Sequence, residues 1–335
     1  MNEPALTENN TTTYNIDQLN DLTRADMARV NQVIVDHLAS PVVLINQLSR
    51  HIIHSGGKRL RPTLVMLCAK ACDYQGDQDA LLAAVVEFIH TATLLHDDVV
   101  DDSDLRRGQE TASSIWGNEA AVLVGDYLYS RAFQMMVKAH SMHMMDILAN
   151  ATNTIAQGEV LQLLNINDAN TSEERYIEVI YGKTACLFEA ATQIGAVLSD
   201  SDKQTEQALK SYGKHLGMAF QLIDDALDYT ANPDELGKNV GDDLAEGKPT
   251  LPLIYAMQQG SDEQQALIRN AIENGGLDHI DAITQIIHDT GALEYTYQQA
   301  INEANLAKQS IALLPKSAYT EALTFLADYS VKRSH

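Results

Sequence analysis

The sequence predicts an all-α protein folded as one domain. Its 335 residues include only 7 Pro and 18 Gly, while Ala, Leu, Ile, Gln and Glu are plentiful, a balance that favours helix over sheet. From Glu87 through His90, Thr93 and Asp97 to Asp101 the polar residues recur at steps of three and four, and Leu94, Leu95, Val99 and Val100 fill the other sides, as on a helix with one polar stripe. Capping signatures of the form Ser/Thr-x-x-Glu/Gln stand ahead of later periodic stretches, at Thr171–Glu174, Ser201–Gln204 and Ser261–Gln264. No Gly/Pro/Ser-rich linker divides the chain, and at 45% hydrophobic it can bury a substantial core.

The elements follow in order. Residues 1–14, with Asn9-Asn10-Thr11-Thr12-Thr13, have almost nothing to bury and are expected to form a disordered tail; residues 15–335 form the domain. A helix runs from Ile16 to Leu38 and Pro41 opens the next. Ser55-Gly56-Gly57-Lys58-Arg59-Leu60-Arg61-Pro62 then precedes an apolar helix over 63–72, and a long helix covers 78–104 before Leu105-Arg106-Arg107-Gly108. Two long helices are expected over 115–139, which holds Met135 and Met136, and over 142–164, which ends with Glu159 and Gln162 on one face. The helix capped at Thr171 carries Gly182-Lys183-Thr184, the one capped at Ser201 runs to Pro233, and a glycine-rich loop over 236–250 contains Lys238 and Lys248. From Leu251 onward short amphipathic helices read as scaffold.

Two aspartate clusters carry the chemistry. Asp97 and Asp101 are spaced i, i+4, so on a helix they lie about 6 Å apart on one face and repel each other unless a cation sits between them. One Asp-Asp-x-x-Asp is as well explained by carboxylates facing water or capping a neighbouring helix. A second copy changes the balance: Gln221, Asp224, Asp225 and Asp228 form another acidic face on an otherwise apolar stretch, so the two read as walls of one polar cavity. Hard oxygen donors in this number suit Mg²⁺, which takes a couple of carboxylates, several waters and phosphate oxygens. Lys58, Arg59 and Arg61 place three cations in four residues after two glycines, a pattern that grips an anion.

The rest of the composition narrows the class. Lys+Arg number 23 against 46 Asp+Glu, a net charge of -23 that repels nucleic acid and anionic membrane. The apolar run Leu81 to Leu95 is interrupted by Glu87 and His90 and is too short to span a bilayer, and no signal sequence opens the chain. Cys68, Cys72 and Cys186 set out no disulfide framework, so a reducing cytoplasm is expected.

Together, Gly-Gly-Lys-Arg-x-Arg-Pro at 56–62, the first Asp-Asp-x-x-Asp with Arg106-Arg107, Lys183-Thr184, Phe220-Gln221, the second Asp-Asp-x-x-Asp, and Lys238 and Lys248 resemble the trans-type prenyl diphosphate synthases. Within that family the chain is most similar to the long-chain branch that makes octaprenyl diphosphate for quinone side chains. The resemblance runs from about residue 20 to the end without departure at these positions. It implies the isoprenoid synthase fold, a single large bundle of long, mostly antiparallel helices around a central cavity, usually as a homodimer. It implies repeated condensation of isopentenyl diphosphate onto an allylic diphosphate, farnesyl diphosphate being the expected primer, to give an all-trans long-chain product, C40 ahead of C35 or C45.

Carried over by position, the resemblance implies two or three Mg²⁺ ions held by Asp97, Asp101 and Asp224, with Asp225 and Asp228 also on the metal side and Asp98 in support. The allylic diphosphate falls to Arg106, Lys183, Thr184, Gln221, Lys238 and Lys248; isopentenyl diphosphate falls to a metal-free site of Lys58, Arg61, His90 and Arg107. Asp97, Asp98, Asp101, Arg106, Lys183, Asp224, Asp225 and Lys238 are the expected catalytic set. Thr93 and Ala92, four and five residues before Asp97, are small, so a growing tail can pass down the bundle toward Met135 or Met136 at its floor. A terpene cyclase lacks a reason for the basic 56–62 cluster, a non-catalytic partner subunit has none for intact motifs, and a ferritin-like di-iron bundle needs a second Glu-x-x-His beside Glu87-x-x-His90 that the sequence does not contain.

Overall fold

The computed structural model describes residues 14–54, 57–106, 108–230, 240–275 and 277–332. Residues 1–13 of the expected tail, Arg107 and Lys238 lie outside the described residues. Tyr14, assigned to the tail, instead packs its ring 5.4 Å from that of Phe325.

The described residues are helical apart from turns and one antiparallel pair of two-residue strands, β1 (Leu105–Arg106) and β2 (Gln109–Glu110). Helix α1 (Ile16–Leu38) starts at a reciprocal cap: the Asn15 amide donates to Gln18 Oε1 and the Gln18 amide to Asn15 Oδ1, both at 2.9 Å. Helices α2 (Val43–His54), α3 (Leu60–Ala71) and α4 (Gln78–Val100) follow. Asp79, fully buried at the start of α4, is held by the Arg29 guanidinium of α1 at 3.0 and 2.8 Å, which fixes the approach of those two helices.

α4 is the element the others enclose. Leu82, Val85, Val86, Phe88, Ile89, Ala92 and Leu95 are buried in one cluster with Leu128, Ala132, Met135 and Met136 of α6 (Asn118–Lys138), Met144, Leu148 and Ala151 of α7 (Met142–Asn165), and Leu187 and Ile194 of α9 (Cys186–Leu198). Its length and composition would suit a membrane span, contrary to the expectation from the sequence, but 72% of the apolar window is buried inside the protein. The apolarity of α4 is therefore that of a central helix.

Several boundaries differ from the sequence reading, each for a local reason. α4 stops at Val100 and not at Asp104, because Asp102 takes a left-handed φ of 49° and the chain turns back through β1 and β2. The helix expected over 115–139 is two: α5 (Ala112–Trp116) ends and α6 begins at Gly117, whose φ of 87° only glycine adopts without strain. Ser172, not Thr171, caps α8 (Glu173–Ile180), and Asp202, not Ser201, caps α10 (Lys203–Leu227) by accepting from the Thr205 amide. α10 ends at Leu227 with Asp228 as its C-cap, short of Pro233. The reciprocal cap at Ser261 and Gln264 forms as expected.

Between α8 and α9 lies an element that the periodicity does not show, a π-helical turn over Tyr181–Ala185. Such turns widen the helix by one residue and re-aim the side chains on it.

Candidate active site

The π turn delivers Lys183 and Thr184. It packs directly on α7: a Cβ on Gly158 would stand 2.7 Å from the Gly182 carbonyl carbon and the Lys183 nitrogen, so both glycines are needed for the two backbones to meet. From there Lys183 Nζ reaches Glu159 Oε2 of α7 at 3.1 Å and Asp97 Oδ2 of α4 at 3.8 Å. The next residue turns the other way. Thr184 Oγ1 donates to Gln221 Oε1 of α10 at 2.8 Å, Gln221 Nε2 donates to Asp225 Oδ1 at 2.7 Å, and the Tyr176 hydroxyl donates to Asp225 Oδ2 at 2.5 Å. Two adjacent residues thus tie the first aspartate face to the second.

A second bridge spans the same gap. Lys248 Nζ lies 3.1 Å from Asp101 Oδ1 and also contacts Glu246. Its own amide donates to the Asp243 carbonyl at 2.8 Å, and the Asp243 amide donates to Asp228 Oδ2 at 3.3 Å. Between the bridges is a cavity of about 110 Å³ whose lining includes Gln162, Lys183, Thr184, Gln221, Asp225 and Lys248. The second acidic face lines this cavity through Asp225, and the first meets it through Lys183 and Lys248, which contact Asp97 and Asp101.

Its electrostatics are those of carboxylates short of positive charge. Burial pushes the Asp97 carboxyl above its usual range and Asp101 adds to the rise, against the pull of Lys183. Burial likewise raises Glu159, and it pushes Asp225, enclosed beside Asp243, up to about 8. Burial alone would lower Lys248, but Asp101, Asp243 and Glu246 outweigh it and hold the ammonium charged. Among the described residues no three His, Cys, Asp or Glu side chains converge closely enough to cage a metal by themselves. An oxygen-only donor set on two walls, with lysine ammonium groups standing among the carboxylates, fits an ion that completes its shell with water and phosphate oxygens.

The basic cluster forms a separate cavity of about 390 Å³, lined among others by Lys58, Arg61, His90, Phe188 and Phe220. Arg61 sits with its guanidinium carbon 4.4 Å from the centroid of the buried Phe188 ring and its Nη1 3.2 Å from His90 Nε2. Lys58 lies 6.0 Å above the Tyr329 ring, and Arg59 pairs with Glu87 at 2.5 Å. No carboxylate but Glu87 lines this cavity among the described residues.

Not every expected residue faces open space. Asp98 is 2% exposed and accepts from the Arg106 Nε at 2.5 Å, so these two are each other's counter-charge, about 100° around the helix from Asp97. Asp225 lines the cavity but is buried and already satisfied by Tyr176 and Gln221, a support for Gln221 more than a water-facing ligand. Ala92, Met135 and Met136 share the main buried cluster, while the half-buried Thr93 donates its hydroxyl to the His90 carbonyl at 2.7 Å. One residue outside the expected set belongs to the site: Glu159, which accepts from Lys183 Nζ.

A family model described as polyprenyl synthetase matches residues 42–290. The chain belongs to the polyprenyl synthetase family. It is 51% identical to the octaprenyl diphosphate synthase of Escherichia coli (strain K12), over 95% of this chain and 99% of that one. It is 45% identical to the geranyl-diphosphate-specific all-trans-nonaprenyl-diphosphate synthase of Rhodobacter capsulatus, over 92% and 95% of the two chains. A polyprenyl synthase from Caulobacter crescentus, solved with calcium and isoprenyl diphosphate, superposes with a TM-score of 0.93 at 46% identity over 96% of this chain and 99% of that one. The all-α architecture is thus that of the polyprenyl synthetases.

Proposed function

We propose that the chain is a trans-polyprenyl diphosphate synthase that adds isopentenyl diphosphate repeatedly to an allylic diphosphate, with farnesyl diphosphate as primer and all-trans octaprenyl diphosphate as product, for quinone side chains. The carrying observation is the pair of bridges through Lys183–Thr184 and Lys248, which supports reading the two aspartate faces as one site. Asp97, Asp101, Asp224 and Asp228 are assigned to Mg²⁺, in two or three ions, with Asp98 and Asp225 holding Arg106 and Gln221. When bound, the metal supplies positive charge against which an allylic diphosphate ionises. Lys183, Lys248 and the Thr184–Gln221 pair orient the leaving diphosphate, and Arg106 and Lys238 are assigned to the same group. The fixed cations stabilise the negative charge that grows on the departing diphosphate, and an allyl cation is left behind.

The second substrate must keep its own diphosphate. The basic cavity of Lys58, Arg61 and His90, to which Arg107 is assigned, binds it by side chains alone and holds its double bond toward the cation. The new C–C bond forms, a proton leaves, and the departed diphosphate is the acceptor at hand. Ala92 and Thr93 leave room for the tail, and Met135 or Met136 is assigned to the floor. We place this catalytic domain at residues 15–335, acting in the cytoplasm as a homodimer, with no nucleic-acid partner. The test is chain-length analysis of products from farnesyl diphosphate, labelled isopentenyl diphosphate and Mg²⁺. A C40 product is expected; a C45 product corrects the length alone, and no elongation contradicts the reading.

A further inference from the structure

Glu159 occupies a position that an ordinary stabilising ion pair does not explain. Its Oε2 accepts from Lys183 at 3.1 Å, but its Oε1 is buried and accepts no hydrogen bond. A carboxylate removed from water is stabilising only where its remaining lone pairs are satisfied. Burial and the nearby charges of Asp97 and Asp101 both oppose its ionisation. The side chain meets Lys183, which in turn reaches Asp97.

Lys183 has two carboxylates within reach, on different helices. The π turn and the Gly158–Gly182 contact fix its backbone, so the remaining freedom is which of them the ammonium approaches. It sits toward Glu159 at 3.1 Å and stands off Asp97 at 3.8 Å. We propose that Glu159 is a positioning residue that holds the Lys183 ammonium off Asp97, keeping Asp97 and Asp101 available to a divalent cation while Lys183 faces the diphosphate. The proposal rests on the assignment of this cavity to the allylic diphosphate and its metal. Without the Glu159 charge the ammonium settles on Asp97 and competes with the ion for it. A glutamine still accepts a hydrogen bond from Lys183, but a neutral acceptor does not hold an ammonium against a full carboxylate.

Calorimetric titration of Mg²⁺ with inorganic pyrophosphate into wild type and Glu159→Gln tests this, with metal-free binding of isopentenyl diphosphate as the control. Glu159→Gln is expected to weaken Mg²⁺–pyrophosphate binding by about 10-fold, the scale of one charge-assisted contact, and to leave isopentenyl diphosphate binding unchanged. In a Lys183→Ala background the same substitution has no further effect, because it acts through Lys183. Wild-type affinity in Glu159→Gln, or a loss that persists undiminished in Lys183→Ala, overturns the proposal. Thermal unfolding of each variant separates the effect from misfolding, and should Glu159→Gln not fold, Glu159→Asp against Glu159→Ala gives the same contrast of charge kept and charge lost. Wild-type protein that binds no Mg²⁺–pyrophosphate contradicts the assignment of the cavity itself; binding that is equal in wild type and variant contradicts only the role of Glu159.

Discussion

The cavity beside Lys183 and the cavity beside Arg61 are both assigned to a diphosphate, yet their cations are differently engaged. In the first, Lys183 and Lys248 stand in ion pairs with Asp97, Glu159, Asp101 and Glu246, so an anion is expected to enter it only in the company of further positive charge. The second is lined by Lys58, Arg59 and Arg61 and is ready for an anion as it stands. A diphosphate held through metal is drawn toward leaving; one held by side chains stays on its carbon. On the proposed assignment, that difference divides the chemistry between the substrate that ionises and the one that attacks.

The sharpest way to break that comparison is to remove one acidic wall. Asp101→Ala deletes a proposed metal ligand and the partner of Lys248, and it is expected to cut turnover by about 10³-fold, the scale of losing one preorganised electrostatic contact. Steady-state rates at saturating substrate check this, and chelation of the metal is expected to mimic it. Arg61→Ala attacks the other side. It is expected to raise KM for isopentenyl diphosphate by about 10- to 100-fold, the range of a lost charged hydrogen bond, with KM for the allylic substrate unmoved.

Two smaller effects sharpen the picture. Ala92→Phe fills space in the buried cluster without touching either anion site and is expected to shorten the product, read by chromatography of dephosphorylated prenols. Asp225 predicts a pH effect on the metal-free protein. Its folded carboxyl keeps its proton up to about 8, whereas an unfolded aspartate releases it near about 3.9. Between those values the folded state binds more protons, so stability without metal declines as pH rises through that window. Thermal unfolding from pH 5 to 8 is expected to show that decline in wild type and a flatter profile in Asp225→Asn.

Much of this was legible in the chain. The i, i+4 spacing of Asp97 and Asp101 survives folding because Asp101, the C-cap of α4, still donates its amide to the Asp97 carbonyl at 2.8 Å. What periodicity cannot express is a change of helix type. Lys183 lies in an unbroken run of helical residues, and nothing in the pattern marks Tyr181–Ala185 as a π turn, although the paired glycines at 158 and 182 are its only trace. For the same reason Glu159 read as one more polar residue on a helix face. The Asp98–Arg106 pair is likewise invisible to motif spacing, which does not say that β1 and β2 bring Arg106 back to α4.

The account turns on metal serving one cavity and not the other. Equilibrium binding of isopentenyl diphosphate and of the unreactive analogue farnesyl thiodiphosphate, each with and without Mg²⁺, measures that directly. Metal-independent binding of the first and metal-dependent binding of the second, lost in Asp97→Ala, is the predicted result. Equal dependence of both ligands on Mg²⁺ would contradict it.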